Sequence, residues 1–108
     1  IEEYMNYSML TQAEGLKYGI EHYRRNKQRT SGALFWQLND CWPGTSWSVI
    51  DYYLLPKASY HYARKFFQPT LVSIDHDPHG EVKVWGTNDK LVSFQDELLI
   101  QVYDFQVN

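Results

Sequence analysis

The residues that decide the fold are Gly32-Ala33-Leu34-Phe35-Trp36-Gln37-Leu38. They are almost wholly apolar and do not alternate with polar residues, a pattern typical of a β-strand buried on both faces in a parallel sheet or barrel. Such a strand needs a partner strand on either side. Because the chain offers no partner strands of this kind, we expect it to be a fragment that further polypeptide completes.

Helical patterns lie on both sides of this strand. Over about 8–26, apolar residues recur at steps of three and four, which predicts a helix with one buried face and Ser8 as its N-cap. These residues are Met9, Ala13, Leu16, Ile20 and Tyr23. A second helix is predicted from Lys57 to about Phe66, because Pro56 suits the first turn of a helix. The order helix, strand, helix is one step of an α/β fold.

The last third of the chain changes in both charge and period. Residues 1–66 carry six acids and eight bases, whereas residues 67–108 carry seven acids and two bases. Beyond Pro69 the apolar pattern has period two, which predicts strands at 71–76 and 82–87 joined by a turn, with a third strand at 98–105. We therefore expect a second, all-β unit that forms part of a sandwich.

Composition excludes several classes of function. A net charge of −3 and a pI near 5.7 give no basic field for nucleic acid, and no apolar run approaches the length of a membrane span. Cys41 is the single cysteine, so an internal disulfide is impossible and the compartment is left open, with a slight preference for a reducing one such as the cytoplasm. We expect neither a cofactor nor a bound metal.

The excess of aromatic residues is concentrated in one region. Ten of the 18 aromatic residues fall between Phe35 and Phe67, interleaved with amides, hydroxyls and carboxylates. Flat aromatic rings beside hydrogen-bonding side chains are the combination that a sugar pocket requires. An aromatic core or interface cluster explains the same composition equally well.

Five motifs together resemble the β-mannosidases among the family-two glycoside hydrolases. They are Gln12-Ala13-Glu14-Gly15-Leu16-Lys17-Tyr18, Ile20-Glu21-His22-Tyr23-Arg24-Arg25, Gly32-Ala33-Leu34-Phe35-Trp36-Gln37-Leu38-Asn39-Asp40-Cys41-Trp42-Pro43, Ser46-Trp47-Ser48-Val49-Ile50-Asp51-Tyr52-Tyr53 and Pro56-Lys57-Ala58. The resemblance extends from about 12 to 73. The last 35 residues match only as a generic sandwich.

This resemblance implies a (β/α)8 TIM barrel followed by an immunoglobulin-like β-sandwich. Residues 1–67 would be the C-terminal part of the barrel, with 32–38 as its eighth and last strand, and residues 68–108 would begin the sandwich. Since barrel enzymes place their active sites at the C-terminal ends of the strands, residues 36–48 would lie at that end.

The resemblance also implies which residues meet substrate. Trp36 would be the hydrophobic platform beneath the sugar that is cleaved, and Asn39, Asp40 and Trp42 would line or brace the pocket wall. The family's two catalytic glutamates lie on earlier barrel strands, upstream of Ile1, so no catalytic residue is expected in this chain and the isolated chain should be inactive. The expected partners are a terminal β-mannoside or mannan oligosaccharide and the remainder of the same polypeptide.

Two alternatives stay open at this point. The first is a β-galactosidase- or exo-glucosaminidase-type relative, because the residues that distinguish the sugars lie mostly outside this chain. The second is a non-catalytic carbohydrate-binding or scaffold module that uses the same aromatic residues. Two glutamates at strand ends upstream of Ile1 would favour an enzyme over a module.

Overall fold

A computed structural model describes residues 1–107 and contains two helices and one hairpin. In chain order, the elements are α1 (Glu2–Arg25), α2 (Ala58–Phe66), β1 (Thr70–His76) and β2 (Val82–Asn88). The two strands are antiparallel, and their register pairs each residue from Thr70 to His76 with one from Asn88 back to Val82. The predicted second helix and the first two strands are therefore confirmed to within one residue at each end.

Helix α1 begins six residues earlier than the sequence pattern predicted. The prediction that Ser8 caps it is wrong, because the helical hydrogen bonds already start with the Met5 amide donating to the Ile1 carbonyl at 3.0 Å. Glu2 and Glu3 occupy the first turn, where negative charge interacts favourably with the helix dipole. Within residues 1–107, neither helix is both long and apolar enough to cross a membrane.

The buried core lies between the two helices. Ile20 of α1 contacts Ala63 and Phe66 of α2, and the partly buried residues that pack around them are Leu16, Ala33 and Tyr62. Ala33 is the point at which the apolar stretch joins this core. The helix pair therefore fixes the position of the segment that leads to the candidate site.

The segment 32–38 is not a regular strand, and the prediction that it is buried on both faces is wrong for the described residues. Leu34 is fully exposed, and Trp36 and Leu38 are exposed as well. The physical reason is that a strand requires ladder hydrogen bonds from neighbours. No strand among residues 1–107 pairs with this segment, whose partner is the loop that follows it.

The predicted third strand at 98–105 is also wrong for the described residues. This segment has neither helix nor strand, and its apolar side chains, including Leu99, Val102 and Phe105, are exposed. The sheet within residues 1–107 therefore has two strands, and its exposed Val72, Ile74 and Val84 lack the second sheet that a sandwich would supply.

Candidate functional site

Side-chain exposure alternates along the apolar segment, and this alternation puts Trp36 on the exposed face. Ala33, Phe35 and Gln37 are half-buried, with Ala33 against the helical core and the Phe35 ring stacked 6.0 Å from Phe67. The intervening side chains are exposed, and the exposed fraction of Trp36 is 75%. The segment therefore has the two-faced character of a strand, with one face on the helices and the indole of Trp36 on the other.

Backbone hydrogen bonds tie the following loop, residues 39–55, to the end of this segment. The Val49 amide donates to the Gln37 carbonyl at 3.0 Å, and the Ile50 amide donates to the Leu38 carbonyl at 2.9 Å. Asn39 and Ile50 form a parallel bridge, and the Trp36–Gln37 peptide bond is cis. The loop thus returns alongside the residues that carry the candidate site.

Asp40 is the centre of a hydrogen-bonded cluster inside the loop. The hydroxyls of Ser46 and Ser48 each lie 2.6 Å from its Oδ2 and donate to it, while Gln37 Nε2 donates to its Oδ1 at 3.2 Å. The bonds from Ser46 and then Ser48, together with the charge of Lys57, lower the pKa of Asp40 against the opposing effect of burial. The carboxylate therefore stays ionised and braces the loop.

Gln12 connects this loop to both helices. From α1, its Nε2 donates to the carbonyl of Trp47 at 2.7 Å and to that of Ser48 at 3.2 Å, and its Oε1 accepts a hydrogen bond from Ser59 of α2 at 2.8 Å. Ser48 and Ser59 are fully buried. Sequence reasoning missed this connection, because a glutamine and two serines 36 and 47 residues away carry no periodic or motif signal.

Two further tryptophans are presented by the loop. Trp42 and Trp47 have exposed fractions of 71% and 73%. In the part of the chain that the structure describes, none of the four tryptophans makes a ring contact. An open groove of about 630 Å³ lies beside Trp47, between the loop and the N-terminal half of α1.

The four predicted site residues lie at the end of the apolar segment and in the loop that follows it. They differ in exposure and in hydrogen-bond partners. Trp36 and Trp42 are exposed, Asn39 is held through its backbone bridge to Ile50, and Asp40 is engaged by its neighbours. The other acid of the loop, Asp51, accepts hydrogen bonds from the amides of its own turn. Contact of the predicted site residues with a sugar stays a prediction.

Comparison with known proteins finds β-mannosidases among both sequences and solved structures. β-Mannosidase B of Aspergillus niger is 37% identical over 82 residues, which cover 73% of this chain. β-Mannosidase B of Aspergillus flavus is 35% identical over 82 residues and covers the same share. The crystal structure of a β-D-mannosidase from Dictyoglomus thermophilum matches 83% of this chain with 48% identity and a TM-score of 0.77.

The chain is short beside these relatives. It spans 10% of the length of each Aspergillus protein and 11% of the Dictyoglomus chain. No family model matches the sequence. The similarity therefore covers one segment of these much longer relatives.

Proposed function

This chain is homologous to one segment of β-mannosidases, and on that premise we propose that it is the end of the catalytic barrel and the start of the following sandwich of a retaining exo-β-mannosidase. Residues 1–67 supply the last barrel strand with its flanking helices, and residues 68–108 begin the immunoglobulin-like β-sandwich. The substrate is a terminal β-mannoside, and Trp36 is the platform beneath the sugar.

The alternating exposure of 33–38 is the observation that carries this proposal. In a TIM barrel, each strand directs one set of side chains toward the outer helices and the other toward the barrel interior. Ala33 and Phe35 meet the helical side of this chain, so Trp36 lies on the face that would point inward. Its place near the C-terminal end of the segment is where barrel enzymes bind substrate.

The chain's part in the reaction is to bind and orient the sugar. A retaining glycosidase uses two carboxyl groups about 5 Å apart, one as nucleophile and one as acid and then base. We assign both to other segments of the enzyme, because Asp40 and Asp51 already accept hydrogen bonds within their loop. We propose that the exposed Asn39 amide and Trp42 ring contact the sugar beside Trp36.

Replacing Trp36 in the intact protein tests the assignment directly. We expect Trp36→Ala to lower kcat/KM for an aryl β-mannoside by about 10- to 100-fold, because burying a large apolar side chain is worth about 1.5–3 kcal/mol. The matched control is Trp85→Ala, which removes an indole from β2 of the hairpin. Equal activity of the two variants would refute the platform role.

A chimaera tests whether this chain can serve as the proposed segment. This chain replaces the aligned segment of the Dictyoglomus thermophilum β-D-mannosidase, to which it is 48% identical. We expect the folded chimaera to hydrolyse aryl β-mannosides. A chimaera that folds but does not hydrolyse aryl β-mannosides would show that this chain cannot serve as the proposed barrel segment.

The exposure of three tryptophans also supports a second candidate, a non-catalytic carbohydrate-binding module. Trp36, Trp42 and Trp47 all present most of their surface to solvent, as sugar-stacking side chains do. An intact protein that binds mannan oligosaccharides, detected by tryptophan fluorescence, but does not hydrolyse aryl glycosides would favour the module. Hydrolysis with normal turnover would exclude it.

A further inference from the structure

Gln12 lies on the outer side of the proposed barrel, yet it contacts the loop that follows Trp36. Its amide group makes three hydrogen bonds of 2.7–3.2 Å, two to the carbonyls of Trp47 and Ser48 and one to the hydroxyl of Ser59. Because Ser48 and Ser59 are fully buried, water has less access to replace the bonds to these two residues than the exposed bond to Trp47 if Gln12 is lost.

A continuous series of contacts leads from Gln12 to the neighbour of Trp36. Gln12 holds the carbonyl of Ser48, and the hydroxyl of Ser48 donates to Asp40 at 2.6 Å. The other oxygen of Asp40 accepts a hydrogen bond from Gln37 at 3.2 Å, and Gln37 follows Trp36 in the chain. Displacement of the loop at Ser48 would therefore shift the end of the segment that presents Trp36.

We infer that Gln12 is a positioning residue for the sugar platform, acting on Trp36 through Ser48, Asp40 and Gln37. This inference rests on the proposed function, in which Trp36 binds the sugar. Gln12 itself does not touch substrate. Its effect is to hold the loop and the indole in one arrangement before the sugar arrives, which reduces the ordering required on binding.

The expected kinetic signature differs from that of a purely structural residue. Loss of a platform contact that is equal in the ground and transition states raises KM and leaves kcat unchanged. Loss of folded protein does the opposite, since it lowers the apparent kcat without changing KM. In the intact protein, we expect Gln12→Leu to raise KM for an aryl β-mannoside about five- to tenfold, with kcat changed less than twofold.

A double-mutant cycle with Trp36→Ala tests whether the effect passes through Trp36. If Gln12 acts through Trp36, then Gln12→Leu should raise KM less than twofold further once Trp36 is already alanine. Thr11→Ala is the matched control on the same helix. Within residues 1–107 the Thr11 hydroxyl donates only to the Tyr7 carbonyl of its own helix, so this variant should leave both constants unchanged.

Three results would overturn the inference. These are an unchanged KM in Gln12→Leu, an effect confined to kcat, and full additivity with Trp36→Ala. If the leucine variant does not fold, Gln12→Glu carries the same predictions, since it keeps the side-chain size but removes both donated hydrogen bonds. A Trp36→Ala variant with normal kinetics would instead refute the proposed role of Trp36. Failure of the proposed function can therefore be distinguished from failure of the inference about Gln12.

Discussion

At the scale of single residues, the carboxylate of Asp40 stabilises the loop through hydrogen bonds. It accepts hydrogen bonds from Ser46 and Ser48 on one oxygen and from Gln37 on the other. Hydrogen bonds to charged acceptors are about twice as strong as neutral ones, so this cluster keeps residues 39–48 in one arrangement. The exposed indoles of Trp36 and Trp42 depend on that arrangement.

Removing the charge of Asp40 gives a pH-dependent prediction. The pKa of Asp40 in the folded protein lies below its ordinary value of 3.8, because Ser46 and then Ser48 donate to the ionised form. Its stabilising effect is therefore present above that value and is lost as the pH falls through the folded-state pKa. In the intact protein, we expect Asp40→Asn to lower the unfolding temperature at pH 7 and to differ less from the unmodified protein at pH 3.

A matched carboxylate outside the cluster is the control for this measurement. Glu97 lies in a segment without helix or strand, and its carboxylate makes no hydrogen bond within residues 1–107. Glu97→Gln should leave the unfolding temperature unchanged at both pH values. A similar loss in Asp40→Asn at pH 7 and pH 3 would contradict the assigned role of the ionised carboxylate.

At the scale of elements, the C-terminal end of α1 joins the helices to the hairpin. Arg24 donates to the Phe66 carbonyl at 2.6 Å and forms an ion pair with Asp89 at 2.7 Å. Arg25, whose side chain is only 5% exposed, donates to Ser73 and lies 3.6 Å from Asp75. The contacts with Asp89, Ser73 and Asp75 cross the predicted boundary near residue 67, so the two parts of the chain are connected by directional bonds as well as by the backbone.

Arg24→Met tests this connection. The substitution keeps the apolar part of the side chain, but it removes the donor to the Phe66 carbonyl and leaves Asp89 with Lys27 as its remaining charged partner. We expect it to lower the free energy of unfolding of the intact protein by about 1–3 kcal/mol, the range for hydrogen bonds to charged groups and their unpaired partners. Chemical denaturation followed by circular dichroism measures the change.

Arg29→Met is the control for the loss of a positive charge. The Arg29 side chain is exposed and makes neither a hydrogen bond nor an ion pair within residues 1–107. This variant should unfold at the same denaturant concentration as the unmodified protein. Equal destabilisation by the two substitutions would show that net charge, rather than the contacts of Arg24, determines the effect.

At the scale of the whole molecule, the described chain exposes more surface than a compact protein of its mass. Its accessible area is 9542 Å², whereas about 6,300 Å² follows from the usual scaling for 12.8 kDa. Its radius of gyration is 16.4 Å, against about 13 Å for a compact domain of this length. The extra area includes the apolar face of Leu34 and Leu38 and the outer face of the hairpin.

This exposed area predicts how the isolated chain behaves. Large apolar patches favour association. The purified 108-residue polypeptide should therefore bind the dye ANS, and it should elute from a gel-filtration column earlier than a 12.8 kDa monomer. An aryl β-mannoside should not be hydrolysed by it. A compact, ANS-free monomer would contradict the first expectation, and measurable hydrolysis would contradict the second.

Much of the local structure could be predicted from the sequence, because its causes are local. The helical period places Ile20 on the buried face of α1, and the switch to period two beyond Pro69 predicts the hairpin and its turn. The motif around Trp36 indicated the relationship to β-mannosidases, which the comparisons confirm. These features depend on residues that are close together in the chain.

The sequence by itself thus determined the helices, the hairpin and the kind of enzyme to which the segment is related. Only the tertiary structure decided that Trp36 faces away from the helices, that Asp40 is a brace, and that Gln12 reaches the loop from α1. The physical reason is the range of the interactions. Periodicity and turn chemistry act over a few residues, whereas these hydrogen bonds and exposures arise when segments 36 or more residues apart pack together.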